Sequence, residues 1–263
     1  HAALRAAGIR VHIGLCAEQA REINRPFIKY VACGRPWVTA KFAMSLDGKL
    51  ATRRGESQWI TAEAARRRGH RLRNLTDVVL VGAGTVLADD PRLTTRLPES
   101  EGDIRNPLRI VVDSSGRVPL TARVFAAGTP GNAALVTTEA AAEKHCHVLR
   151  ERGVQVWRLP ADENGRVELG ALLDEIGRRE MLTLLLEGGG ELTGAFVAAG
   201  LLDEVCAFVA PLLIGGRAAP GPVGDPGAGA LAQALRLGNL VTEKIGVDVL
   251  IRGEVLKTYE SEG

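Results

Sequence analysis

The chain is poor in cysteine: Cys16, Cys33, Cys146 and Cys206 are scattered over 263 residues, with no C-x-x-C. That pattern excludes a disulfide scaffold and a thiolate zinc site, and it predicts free thiols in a reducing cytoplasm. Aromatics are few, at 4%, so the core must be built mainly from Leu, Val, Ile and Ala. Charge of one sign is also lacking. A net charge of +2 makes no large field, so nucleic acid is not an implied partner. No apolar run approaches the length of a membrane span, and no signal peptide opens the chain, so no membrane partner is expected. Two phosphate fingerprints are missing as well. No G-x-x-x-x-G-K-[ST] occurs. Gly82 and Gly84 are followed by Leu87 where G-x-G-x-x-G needs glycine, and Gly188, Gly190 and Gly194 are spaced one residue too long. His145-Cys146-His147 looks like a metal cluster, but adjacent helix positions do not converge on one point, so no metal is expected.

What is present is an ordinary globular composition, 46% hydrophobic and 24% charged, long enough for one large or two small domains. Within it stand two glycine-rich turns, each following an apolar strand-like run. One is Val78-Val79-Leu80-Val81-Gly82-Ala83-Gly84-Thr85. The other is Leu184-Leu185-Leu186-Glu187-Gly188-Gly189-Gly190, continuing through Glu191, Leu192, Thr193, Gly194 and Ala195. A strand that runs through glycines into a helix leaves backbone N–H groups free at the helix start. Those donors and the helix dipole favour an anion, most often a phosphate. The alternative is that the glycines merely permit tight turns.

Strand-like and helix-like segments alternate along the chain. Strands are predicted over 9–13, 37–44, 78–81, 108–113, 133–137, 154–159, 183–186 and 204–210, and helices over 17–24, 61–74, 139–151, 169–179 and 194–199. Thr61 is the expected N-cap of its helix. A Gly/Pro-rich loop is expected over 215–229, and a closing antiparallel hairpin over 235–255. The alternation argues for a three-layer α/β fold with a mostly parallel sheet.

Several polar residues stand where chemistry would be done. Lys41 lies within an apolar strand and needs a carboxylate partner or a function. Glu187 ends a buried strand, and Asp89-Asp90-Pro91 follows the first glycine turn, so Asp89 and Glu187 are expected at turn positions outside the core. Lys41, Asp89 and Glu187 are the candidate catalytic groups. Trp59, in a polar loop, either stacks on a flat ring or anchors the core. Arg66, Arg67, Arg68, His70, Arg71 and Arg73 span two helical turns, and one facing the cleft would grip a phosphate. Arg73 and Arg96 are expected to flank one cleft and, with Ser57, to hold the same anion.

The segments Lys41-Phe42-Ala43-Met44-Ser45-Leu46-Asp47-Gly48 and Gly55-Glu56-Ser57-Gln58-Trp59-Ile60-Thr61 stand in order with two more. These are Thr85-Val86-Leu87-Ala88-Asp89-Asp90-Pro91-Arg92-Leu93-Thr94-Thr95-Arg96 and Glu187-Gly188-Gly189-Gly190. Over roughly 36–255 they resemble the reductase domain of the bifunctional riboflavin-biosynthesis deaminase/reductase. Residues 1–35 resemble the end of that family's deaminase domain and its linker, which leaves 36–263 as the reductase domain. The deaminase signature, H-x-E with P-C-x-x-C, is absent.

The resemblance implies a dihydrofolate-reductase-like fold. It implies NADPH-dependent reduction of the ribose of 5-amino-6-(5-phosphoribosylamino)uracil to the ribityl product, in a cytoplasmic homodimer fused to an upstream zinc deaminase. It implies substrate contacts from Ser57, Arg73, Leu93, Arg96 and Glu187. It implies cofactor contacts from Ala43, Trp59, Thr85, Asp89, Ser114, Gly189, Gly190, Glu191, Leu192, Thr193, Gly194 and Ala195. Asp113, at a strand end, would suit the 2′-hydroxyl of NAD, whereas Ser114, Arg117 and Arg123 would suit the 2′-phosphate of NADP. Two other readings are a nucleotide-binding regulatory module and a folate-type reductase.

Overall fold

Strand β2, Val78–Gly82, buries its residues on two opposite faces. Val78 and Leu80 enter one hydrophobic cluster, and Val79 and Val81 enter another. A strand alternates its side chains between faces, so a run apolar at every position must be covered twice. Three layers follow from that single segment. The computed structural model describes residues 1–129 and 131–256; positions 257–263 of the expected second domain lie outside the described residues.

The sheet has nine strands in the order β5-β4-β3-β2-β6-β1-β7-β9-β8. Its parallel part comprises β1 (Trp37–Ser45), β2, β3 (Leu108–Val112), β4 (Ala133–Thr137), β5 (Gln155–Arg158), β6 (Thr183–Leu186) and β7 (Glu204–Ala210). The hairpin β8 (Leu237–Ile245) and β9 (Asp248–Val255) adds two antiparallel strands at one edge. On one face Leu172, Leu173 and Ile176 of α7 (Leu169–Arg178) and Phe196 of α8 (Gly190–Ala198) cover the central strands. On the other face lie α5 (Ala83–Asp89) and α6 (Glu143–Glu151), with Val86, Leu149, Val118 and Phe125. Helix α4 (Glu63–Leu75) covers β7 and β9, where Ala65 meets Phe208 and Leu250.

The α/β class and the closing hairpin are those expected. Local departures have physical reasons. Residues 9–13 form no strand and pair with none of the sheet's strands. Helix α2 (Ala17–Ile23) breaks at Asn24, and α3 (Arg25–Cys33) restarts with Pro26 in its first turn, where the missing N–H costs nothing. Thr61 is not the cap of α4. Its N-cap is Ala62, whose N–H is bound instead by the buried Asp248 carboxylate of β9 at 2.8 Å.

Candidate active site

Strands β2 and β6 are parallel neighbours, with Leu80 level with Leu186. Their two glycine turns therefore open side by side at the carboxyl edge, the place where open α/β sheets bind ligands. The turns touch: the Gly189 N–H donates to Thr85 Oγ at 3.0 Å. Beyond Gly189 the first turn of α8 presents N–H groups that have no intrahelical acceptor. The two outer glycines of this turn answer to packing. A Cβ on Gly190 would stand 2.5 Å from the Gly221 carbonyl oxygen, and one on Gly194 would stand 2.9 Å from that of Gly224. The predicted 215–229 loop thus lies across this face of α8, tied by a Gly224 N–H to Gly190 O bond of 2.8 Å. Glu191 pairs with Arg166 at 2.9 Å, both exposed.

Next to the second turn is a buried ion cluster. Strand β1 neighbours β6, with Ala40 level with Leu186, so Lys41 comes up beside Glu187. The Lys41 Nζ to Glu187 Oε2 distance is 3.4 Å. Arg73, on α4, grips the same carboxylate with two prongs, Nε to Oε1 at 2.5 Å and Nη2 to Oε2 at 2.9 Å. The third arm of Arg73 donates to the Thr94 carbonyl at 3.1 Å. Burial alone would raise the Glu187 pKa. The Arg73 and Lys41 charges outweigh it and hold this carboxyl well below the usual carboxylate range. The end of the Lys41 side chain lies against Gly69 of α4, and its ammonium faces the Phe208 ring at 5.7 Å.

One placement expected from sequence is corrected here. Glu187 is buried within the ion cluster, not held at a turn outside the core. Arg73 engages Glu187 and the Thr94 carbonyl, which makes it the counter-ion of that carboxylate. Arg96 remains. It forms no ion pair among the described residues, and its surroundings are cationic, with Arg73, Arg92 and Arg123 nearby.

A cleft of about 480 Å³ opens over this cluster, lined by Lys41, Trp59, Arg66, His70, Arg73 and Arg96 among others. Trp59 is 65% exposed, which settles it as a surface ring rather than a core anchor, and the Arg66 guanidinium stacks on it at 4.5 Å. His70 escaped the sequence reading as an individual residue. Its Nδ1 accepts the Arg96 N–H at 3.3 Å, and burial, with Arg73 and Arg96, pushes its pKa down to about 4. A larger cavity of about 720 Å³ lies elsewhere, between α2 and the hairpin. Several of its charges pair with one another, as Arg25 with Glu254 and Arg252 with Glu204, and neither glycine turn reaches it.

Of the adjacent carboxylates, Asp89 accepts a hydrogen bond from Ser57 Oγ at 3.1 Å, while Asp90 holds the Arg123 N–H at 2.7 Å. Asp89 is thus tied to the Ser57 loop, and Asp90 is a tether for the Arg123 main chain. Ser57 and Asp89 meet each other without lining the cleft. The Leu93 side chain is 3% exposed and belongs to the core, which leaves only its backbone for a ligand. Ala43 packs partly buried beside Phe208. Ser114 Oγ accepts the Val167 N–H at 3.0 Å. Asp113 turns inward to the Val118 N–H at 2.7 Å, so its carboxylate is not offered to a ribose.

A mostly parallel sheet covered on both faces, with an antiparallel carboxyl-terminal hairpin, defines a three-layer α/β protein. The chain belongs to the RibD C-terminal domain family, whose profile matches residues 36–251. It is 38% identical over 248 residues to the riboflavin biosynthesis protein RibD of Actinobacillus pleuropneumoniae, covering 94% of this chain and 64% of that protein. The chain thus spans about two thirds of the length of the curated relatives it matches. Among solved structures, Acinetobacter baumannii RibD superposes with a TM-score of 0.82 at 31% identity, covering 97% of this chain and 67% of that one. A diaminohydroxyphosphoribosylaminopyrimidine deaminase/5-amino-6-(5-phosphoribosylamino)uracil reductase from Thermotoga maritima does so with 0.77 at 29%, covering 96% and 66%.

Proposed function

We propose that this chain is the reductase of that pair of activities. It reduces the ribose of 5-amino-6-(5-phosphoribosylamino)uracil to the ribityl product in riboflavin biosynthesis, with NADPH as reductant. The observation that carries the reading is the Lys41–Glu187–Arg73 cluster set beside the joined glycine turns, in a cleft that Arg96, without an ion pair among the described residues, also lines. The turns suit a nicotinamide dinucleotide. Gly188, Gly189 and the first turn of α8 would hold its pyrophosphate, with Thr85, Trp59 and Ala43 towards the nicotinamide. Asp113 is turned inward to the Val118 N–H, which withholds it from a 2′-hydroxyl, while the exposed Arg117, paired with Asp113 at 3.7 Å, and Arg123 support a 2′-phosphate.

When bound, the cofactor supplies a hydride to the sugar C1 once the ring has opened. The chain's own residues supply the rest. Glu187 stays ionised, so it accepts hydrogen bonds from the substrate and cannot be the acid. Lys41, held by Glu187 with donors to spare, is positioned to give the proton to the developing alkoxide. Arg96 neutralises the substrate phosphate.

The absence of H-x-E and P-C-x-x-C supports a chain that does not itself deaminate, and the greater length of the relatives supports an upstream deaminase in the whole protein. The exposed Leu240, Val241 and Val247 of the hairpin support a homodimer, and unpaired cysteines support the cytoplasm.

NADPH oxidation assayed with the phosphoribosylaminopyrimidine and with dihydrofolate tests the reading. Turnover of the pyrimidine alone is expected. Turnover of dihydrofolate would make it a folate-type reductase, and binding of NADPH without turnover of either would make it a regulatory module.

A further inference from the structure

The loop from Pro91 to Pro107 is laid lengthwise along helix α4 and fastened at each turn. Arg67 and Arg71 hold Glu101, the latter at 2.6 Å. Asn74 Oδ1 accepts the Arg105 N–H at 2.7 Å, and Arg73 reaches Thr94. Positions 67, 70, 71 and 74 share one helix face, so the loop is fastened along a single stripe. Within that stripe His70 alone takes hold of Arg96, through the Arg96 N–H.

We propose that His70 is a positioning residue for the phosphate of the substrate: by accepting the Arg96 N–H it fixes the main chain from which the Arg96 guanidinium reaches that phosphate. The inference rests on the reductase reading above. The chemistry of the contact is specific. A backbone N–H can only donate, so Nδ1 must carry the lone pair and Nε2 the proton. The ring therefore has to be neutral while surrounded by Lys41, Arg73 and Arg96. A lysine or arginine at 70 would offer no acceptor and would add a further like charge. Histidine supplies an acceptor of the right reach, and its surroundings keep it neutral. Arg96 forms no ion pair among the described residues, so the backbone anchor is what sets the direction of its guanidinium.

The test is a set of variants of the whole protein, each assayed with the phosphorylated substrate and with its dephosphorylated analogue. His70→Phe keeps a ring and removes the acceptor. It is expected to raise KM for the phosphorylated substrate about tenfold, with kcat and the KM for NADPH within twofold of wild type and the analogue unaffected, as expected of lost uniform binding. His70→Asn, whose amide oxygen stands near the Nδ1 position, is expected to bring KM back to within about threefold. His70→Gln, with its acceptor one carbon further out, is expected to resemble His70→Phe, and the Asn/Gln pair carries the test should the Phe variant not fold. In an Arg96→Ala background, His70→Phe is expected to add nothing, because the two changes break one interaction. Unchanged KM, equal losses with both substrates, or additive effects in the double variant would overturn the role of His70. A wild-type protein that does not distinguish the phosphorylated from the dephosphorylated substrate would instead overturn the phosphate reading on which that role depends.

Discussion

At the scale of single residues, the site is governed by which charges are paired. Glu187 neutralises two cations in a buried place, so Glu187→Gln leaves Lys41 and Arg73 facing each other without a counter-ion. Breaking a buried pair costs roughly 3–5 kcal/mol, and losing a positioned acid–base partner costs about 10²–10⁴ in rate. The variant is expected to melt lower by calorimetry as well as to lose kcat. Arg96→Ala is expected to spare the fold, since Arg96 is exposed and forms no ion pair among the described residues, and to raise KM for the phosphorylated substrate by about tenfold or more, read in the NADPH assay.

The same charges set the pH dependence of stability. The His70 pKa falls from its ordinary 6.5 to about 4 in the folded chain. Between those values the unfolded chain binds a proton that the native one does not, so stability falls as pH drops through that window. Glu187 acts lower. Its depressed folded pKa contributes stability above the ordinary carboxylate range, which is lost as pH falls below it. Thermal melts from pH 7 to pH 3 are expected to show both losses. His70→Asn should flatten the upper window and leave the lower one in place.

At the scale of elements, two contacts between distant segments hold the site's walls. Asp248 on β9 caps α4, which carries His70 and Arg73. Asp248→Ala is expected to cost about 0.5–2 kcal/mol in urea unfolding, the usual range for a lost N-cap, whereas Thr61→Ala leaves the cap intact. The second contact is the 215–229 loop on α8. Gly190→Ala drives a methyl group into the Gly221 carbonyl, where backbone must move to make room. Overpacking of this kind costs about 1–3 kcal/mol. A fall in melting temperature is the expected outcome, and an unchanged melt would mean that the loop yields freely.

At the scale of the molecule, the sheet order brings every part of the site to one carboxyl edge, and cofactor choice follows from that assembly. The Asp113 carboxylate is buried on the Val118 N–H and Arg117, its 3.7 Å partner, is exposed, so NADPH is expected to bind about ten- to a hundredfold more tightly than NADH, the worth of one charge-assisted phosphate contact. Calorimetric titration of each cofactor checks this, and equal affinities would contradict it.

By itself the sequence determined what neighbours along the chain can determine. Apolar runs at 78–81 and 183–186 marked strands covered on both faces, the glycines after them marked anion-ready turns, and Lys41 within an apolar strand announced a partner without naming it. These signals are local, because strand period, helix period and turn chemistry act over a few residues. The tertiary structure alone decided who meets whom. Lys41 finds Glu187 across 146 positions, Arg73 finds the same carboxylate across 114, and Asp248 takes the capping role of Thr61 from 186 residues away. It sent Leu93 into the core, gave Gly190 and Gly194 to a covering loop, and made His70 the anchor of Arg96. The Lys41–Glu187 meeting depends on β6 lying between β1 and β2, a strand order that no local rule contains and that only the joint burial of both sheet faces selects.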